Sequence, residues 1–134
     1  MKTYLLAALA ALALAAPVHA TAPTTVASTA APSGYAVVPA SFTFVACDAS
    51  NGNSFVNTGR QVLIAFNSDA SAHSITVASV ADSAGRTGDS TKNINAGAYY
   101  VFQFFPLNGW NQTDGTIHTT CSDATLKLAV ITFP

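Results

Sequence analysis

His73 and His118 are the side chains best suited to acid–base chemistry in this 134-residue chain. A hydrolase would need one of them beside an activated nucleophile and an orienting carboxylate. The sequence contains no Gly-x-Ser-x-Gly nucleophile elbow and no His-Glu-x-x-His metal pair. Both histidines are interpreted as surface residues of strands. We therefore predict no catalytic residue, and an exported hydrolase is the weakest of the functions considered.

Asp48, Asn51 and Asn53 form an oxygen-rich loop that resembles a cation site. Calcium takes six to eight oxygen ligands and usually several carboxylates. The aspartates of this chain occur singly in separate loops, and there is no glutamate. Asx-turn chemistry explains such residues without a metal. We predict no metal site and no cofactor.

Trp110, Asn111 and Gln112 are the residues best suited to contact a ligand or partner. The indole could stack on a sugar ring while the two amides supply hydrogen bonds. Alternatively, Trp110 folds back as a lid over one end of the domain, which is the favoured interpretation. Asn111-Gln112-Thr113 also fits the acceptor pattern for N-glycosylation.

Cys47 and Cys121 are the only cysteines. In an exported chain an even pair favours a disulfide, and closing so long a loop stabilises by roughly 4 kcal/mol. Two buried free thiols are the alternative. Zinc is disfavoured because the chain lacks the paired ligand spacing that zinc sites show.

Residues 1–20 have the pattern of a secretory signal peptide. Lys2 supplies the early charge, an apolar run covers 4–16, and small residues precede a cut after Ala20. The run is shorter than the roughly 20 residues that cross a bilayer as a helix. We predict a secreted, periplasmic or cell-surface protein with no membrane span in the mature chain.

The mature chain is poor in charge. Of five Lys and Arg, Lys2 lies in the leader, and the rest are scattered against six aspartates. Nucleic-acid binding needs a clustered basic surface, so that class of partner is excluded. Strand-forming Val, Ile, Thr, Phe and Tyr dominate over helix formers.

The pattern along the chain predicts an all-β fold. Residues 21–34, rich in Ala, Thr and Pro, are predicted to form a flexible arm. Residues 35–134 are predicted to form one antiparallel β-sandwich, jelly-roll or immunoglobulin-like. Strands are expected at 35–38, 41–47, 60–67, 73–80, 91–94, 98–105, 116–121 and 125–133, with a turn at 48–54. The 60–67 strand is apolar on both sides, which indicates that it is covered twice or that one side meets a partner.

Five short segments carry a resemblance to a known family. They are Asn57-Thr58-Gly59-Arg60-Gln61-Val62-Leu63, the stretch 67–77 (NSDASAHSITV), Asn95-Ala96-Gly97, Phe105-Pro106 and Asp114-Gly115-Thr116-Ile117. Together they resemble small β-sandwich head-decoration proteins encoded near the capsid genes of tailed phages. The resemblance covers most of 57–131 and implies a compact sandwich that binds other protein subunits laterally. The export signal and the cysteine pair depart from that family.

These observations favour a non-enzymatic exported structural protein that acts by protein–protein assembly, as a surface array, filament or coat subunit. Its partners would be further copies of itself or a host structure, with the arm around Val26 and the run beginning at Tyr35 pairing with a neighbour's strand edge. The alternative is a secreted carbohydrate-binding module in which Trp110, Asn111 and Gln112 contact glycans.

Overall fold

The computed structural model describes residues 21–33 and 41–134. Within these residues the chain forms ten β-strands and no helix. The strands are β1 (Thr24–Thr25), β2 (Ser28–Ala30), β3 (Val45–Ala46), β4 (Asn53–Val56), β5 (Gln61–Asn67), β6 (His73–Val77), β7 (Ser90–Ile94), β8 (Tyr99–Val101), β9 (Thr116–Cys121) and β10 (Leu126–Thr132).

The strands form two sheets that pack against each other. Sheet A has the order β1-β4-β9-β6-β7, and sheet B has the order β2-β10-β5-β8 with β3 also paired to β10. The predicted β-sandwich is confirmed. Most pairings are antiparallel, but β1 runs parallel to β4 and β2 runs parallel to β10, so both sheets are mixed.

The core lies between the sheets, and in β5 burial alternates along the strand. In β5, Leu63 and Ala65 are buried, while the residues between them are only half-buried. Sheet A contributes Phe55, Ile75 and Ile117. Burial of each large apolar side chain contributes about 1.5–3 kcal/mol. In the described part of the chain, every buried side-chain nitrogen or oxygen has a hydrogen-bond partner.

The N-terminal segment is part of the sandwich. The Val26 N–H donates to Ser54 O at 2.7 Å, the Ala31 N–H donates to Thr132 O at 2.7 Å, and the Val26 side chain is 2 % exposed. The prediction of a flexible arm is therefore wrong for residues 24–31. The prediction rested on the low apolar content of the segment. The composition could not show that β4 and β10 have edges with unpaired backbone groups, to which the segment hydrogen-bonds.

Several strand limits differ from the predictions. β4 begins inside the predicted turn, the 41–47 strand shortens to β3, and the 98–105 strand shortens to β8. After β8, Phe102 and Phe105 both enter the core, a spacing of three that strand alternation does not allow. The signal peptide, Gly34 and the predicted 35–38 strand lie outside the described residues.

Cys47 and Cys121 form the predicted disulfide, with Cα atoms 6.3 Å apart. Cys47 follows β3 of sheet B and Cys121 ends β9 of sheet A, so the bond joins the two sheets. The alternative of two free thiols is excluded. No helix in the described ranges is long and apolar enough to span a membrane.

Candidate functional site

The outer side of sheet B is apolar. Phe66 of β5 lies opposite Tyr99 of β8, and Ile64 lies opposite Val101. Directly opposed residues of antiparallel strands share one face, and these positions alternate with the buried Leu63 and Ala65. We call this surface the apolar face. Its members are Phe44, Val62, Ile64, Phe66, Tyr99, Val101, Lys127 and Ile131, which surround the fully buried Ala129.

Aromatic rings dominate one end of the apolar face. Tyr99 stacks on Phe66 with ring centroids 4.4 Å apart, and Phe44 packs on both at 6.0 and 6.1 Å. Phe42 extends this cluster through an edge-on contact with Phe44. Tyr99 is 61 % exposed and Val101 is 58 % exposed. Nothing in the described part of the chain covers these two side chains.

Lys127 is the only charged residue of the apolar face. It lies opposite Phe66 in the β5–β10 ladder. The three ion pairs among the described residues are His73–Asp69, Arg86–Asp82 and His118–Asp114, so Lys127 takes part in none of them. The apolar face therefore has only one charged group that would have to be desolvated if another apolar surface packed against it.

The outer side of sheet A has the opposite character. Its paired rows place Ser54 opposite His118, and Thr76 between Thr120 and Thr91. The hydroxyls of Thr76 and Thr91 are hydrogen-bonded at 2.8 Å. Val56 is the large apolar exception on this side, also 58 % exposed. Apolar exposure is thus concentrated on one sheet.

Trp110 lies at one end of the sandwich, half-buried. Its ring packs edge-on against Phe105 at 5.3 Å and contacts the core. Asn111 is held by Asn57: the Asn57 amide donates to Asn111 Oδ1 at 2.6 Å, and the Asn111 amide donates to Asn57 O at 3.1 Å. Its amide groups therefore bind the chain itself. Gln112 closes a turn through backbone bonds to Thr116 and Gly115.

A cleft opens beside Trp110, between the edge strands β7 and β8. Its volume is about 490 Å³, and its walls include Lys92, Tyr100, Phe102 and Phe105. We call it the lateral cleft. A smaller cleft of about 230 Å³ lies on the other side of Trp110, beside Asp82 and Arg86. The sequence singled out Trp110 but not Lys92 or the aromatic wall, because it did not show that the consecutive strands β7 and β8 belong to different sheets, with the cleft between them.

His73 is placed between a carboxylate and a hydroxyl. Its Nε2 lies 2.7 Å from Asp69 Oδ2, and its Nδ1 lies 3.5 Å from Ser122 Oγ. The contact with His73 holds the pKa of Asp69 below its usual value. A carboxylate, an imidazole and a hydroxyl in contact in this order resemble a catalytic triad. The sequence did not indicate this arrangement, because Ser122 is distant from His73 in the chain. However, Ser122 Oγ accepts the Ser74 N–H at 3.0 Å, and neither of the two clefts includes these residues.

His118 makes a longer contact with Asp114, 3.4 Å from Nε2 to Oδ2. The pKa of Asp114 is lowered mainly by the hydroxyl and backbone N–H of Thr116. Asp114 therefore serves the turn before β9 rather than a reactive histidine.

Asp48 forms a turn that holds the N-terminal segment. Its Oδ1 accepts the backbone N–H groups of Ser50 and Asn51, and its Oδ2 accepts the Thr24 hydroxyl at 2.9 Å. These bonds, led by that of the Asn51 N–H, lower the pKa of Asp48 from 3.8 to about 2. Across the described ranges, no three His, Cys, Asp or Glu side chains are grouped closely enough to hold a metal ion.

Of the residues that the sequence marked for partner or ligand contact, Trp110, Asn111 and Gln112 lie together, and Tyr35 lies outside the described residues. Comparison with known proteins finds no match to this chain among family models, curated sequences or solved structures.

Proposed function

We propose that this chain is an exported, non-enzymatic structural protein that assembles with other protein subunits through its apolar face. The observation that carries the proposal is the exposure of Tyr99 and Val101 on a sheet surface with a single charged residue. Burying such a surface against a partner is favourable by about 25 cal/mol for each Å² removed from water.

The size of the surface supports a protein partner. Phe104 and Phe133, both exposed, pack against each other at 5.7 Å beside the C-terminal end of β10. These two lie beside the exposed Arg60, whose carbonyl oxygen accepts the Phe133 N–H, and are not counted with the apolar face. Phe42, Tyr99 and Val101 by themselves expose roughly 300 Å², taking full aromatic areas of about 150–250 Å². That is within the range of about 300–600 Å² for the largest patch on a monomer, and such patches are often functional. Half-buried members of the face bring it closer to the roughly 800 Å² that each partner buries in a standard interface.

A second copy of this chain is the partner that the charges favour. Without the predicted leader and its Lys2, four Lys and Arg stand against six aspartates, a net charge of −2, and like copies therefore repel weakly. The resemblance to phage head-decoration proteins implies the same mode of use, lateral contact between small sandwiches. Export of the chain is part of the proposal, and the Cys47–Cys121 disulfide supports it, because such bonds persist in oxidising compartments.

The test compares two equally exposed valines on opposite sheets. Val101→Glu places a charge on the apolar face, and Val56→Glu places the same charge on the outer side of sheet A. Analytical ultracentrifugation of the exported protein over a wide concentration range measures association. We expect the wild type and Val56→Glu to form dimers or larger species, and Val101→Glu to require at least about tenfold higher concentration, the effect of 1.4 kcal/mol.

Circular dichroism and the melting temperature establish that both variants are folded. A wild type that stays strictly monomeric at high concentration would reject assembly. Equal weakening of association by both substitutions would reject the apolar face as the contact surface.

A further inference from the structure

The two sides of the sandwich are closed differently. On one side, the N-terminal segment pairs with β4 of sheet A and with β10 of sheet B, and Val26 enters the core between them. On the other side, the sheets end in β7 and β8. The lateral cleft, about 490 Å³, is open there. Ligand sites in proteins commonly have volumes of about 300–1,000 Å³.

Lys92 points into this cleft from sheet A. It lies opposite the buried Ile75 in the β6–β7 ladder, so its side chain is on the inner side of the sheet. The ammonium lies 5.8 Å from the ring centroid of Tyr100, which faces it from β8. Lys92 belongs to none of the three ion pairs found in the described part of the chain. The cleft therefore holds a positive charge with an aromatic neighbour and no carboxylate.

The rest of the wall is mostly aromatic. Phe102 and Phe105 are buried beneath the cleft with ring centroids 6.2 Å apart, and Trp110 stands beside Phe105. Flat rings pack favourably on such walls in offset or edge-on arrangements. The amide of Gln103, which is exposed, lies at the same cleft and can donate or accept a hydrogen bond.

We propose that the lateral cleft binds a small aromatic carboxylate, with the carboxylate on Lys92 and the ring against Phe105 and Trp110. The charge of Lys92 selects an anion, and the aromatic wall selects a flat apolar body. A neutral sugar would leave the ammonium without a counter-charge. Val101 borders both this cleft and the apolar face, but the charge and the aromatic wall that carry the present proposal lie outside that face.

An inward-pointing lysine on an edge strand has another use, which is to block pairing with foreign strands. In that case loss of the charge promotes aggregation, and no ligand binds. The two roles are separated by measuring binding directly.

Trp110 is the only tryptophan of the chain and lines the cleft, so its fluorescence reports occupancy. We would titrate the exported protein with phenylacetate, with the uncharged phenylacetamide, and with galacturonate as an acidic sugar. We expect a saturable change with phenylacetate alone, and weaker affinity at high salt, because a charge pair is screened. Lys92→Gln should weaken binding at least about tenfold, because the hydrogen bond between the ammonium and the carboxylate is lost.

Lys92→Arg keeps the charge and should retain most of the affinity. Lys127→Gln removes the lysine of the apolar face and is the matched control, expected to leave binding unchanged. Phenylacetamide or galacturonate binding as tightly as phenylacetate would overturn the proposal. So would the absence of saturable binding, or unchanged affinity in Lys92→Gln. If Lys92→Gln aggregates, the salt dependence of the wild type decides: affinity independent of ionic strength would also overturn the proposal.

Discussion

Replacement of Gly52 by alanine should destabilise the fold far more than the same replacement at Gly59. Both glycines have positive φ, +78° for Gly52 and +83° for Gly59, where a Cβ costs about 1–2 kcal/mol. The smaller freedom of alanine in the unfolded chain returns about 0.4–1 kcal/mol. These contributions are common to both sites, so Gly59→Ala should lower the free energy of unfolding by about 1.5 kcal/mol or less.

Gly52 differs in what a Cβ would meet. It would lie 2.6 Å from the backbone oxygen of Thr119 in β9, whereas no atom lies within 4 Å at Gly59. Thr119 is paired with Asn53 in the β4–β9 ladder, so its carbonyl cannot move away without disturbing the sheet. Overpacking of this kind costs about 1–3 kcal/mol, which brings the loss for Gly52→Ala to about 1–4.5 kcal/mol.

Urea unfolding followed by Trp110 fluorescence and circular dichroism measures both losses, with the slope of the transition as a check on two-state behaviour. The difference between the variants isolates the contact with Thr119. Equal stabilities for Gly52→Ala and Gly59→Ala would refute the close approach of β4 and β9 on which the estimate rests.

Two further predictions concern the N-terminal segment and the aspartates. Val26→Ala should lower the free energy of unfolding, measured by urea titration, by about 2 kcal/mol, because Val26 is buried. The control Val56→Ala, at an exposed position, should change it by less than about 0.5 kcal/mol. Equal, small effects of the two substitutions would mean that residues 21–33 do not stabilise the sandwich. Acid should destabilise the protein, because five aspartates have lowered pKa values in the folded state: Asp48, Asp69, Asp82, Asp114 and Asp123. The stability that these carboxylates contribute is complete above their ordinary pKa of 3.8. It is lost as the pH falls through the folded pKa values, which for Asp48 is about 2. Melting temperatures between pH 6 and pH 2 test this, and Asp48→Asn should show a lower value at pH 6 and a shallower decline; a melting temperature that does not fall in acid would contradict it.

Long, regular strands were predictable from the sequence. The runs at 60–67 and 125–133 alternate or repeat apolar residues over enough length to define β5 and β10, and the cysteine pair predicted the disulfide. β4 was not predictable, because Asn53 and Ser54 have the composition of a turn. Their side chains and backbone are buried only because β9 lies on one side and β1 on the other.

The candidate sites were also only partly predictable from the sequence. The apolar composition of both sides of β5 was visible in the sequence, but two explanations fitted it, a second covering layer or a partner surface. The structure places Tyr99 and Val101 on the outer side of sheet B without a covering layer among the described residues. For Trp110 the sequence indicated a ligand contact or a lid, and the residues beside it come from β7, β8 and the loop after β8.

The sequence by itself determined the strand-rich class, the cysteine pair and the scarcity of charge, because these depend on residue type and on periodicity over short distances. Only the tertiary structure decided that residues 24–31 pair with both sheets, that Lys92 faces Tyr100, and that apolar side chains accumulate on one outer surface. The first and the third depend on strands distant in the chain, whereas Lys92 and Tyr100 lie on consecutive strands that belong to different sheets. All three arrangements exist only once the two sheets have packed together.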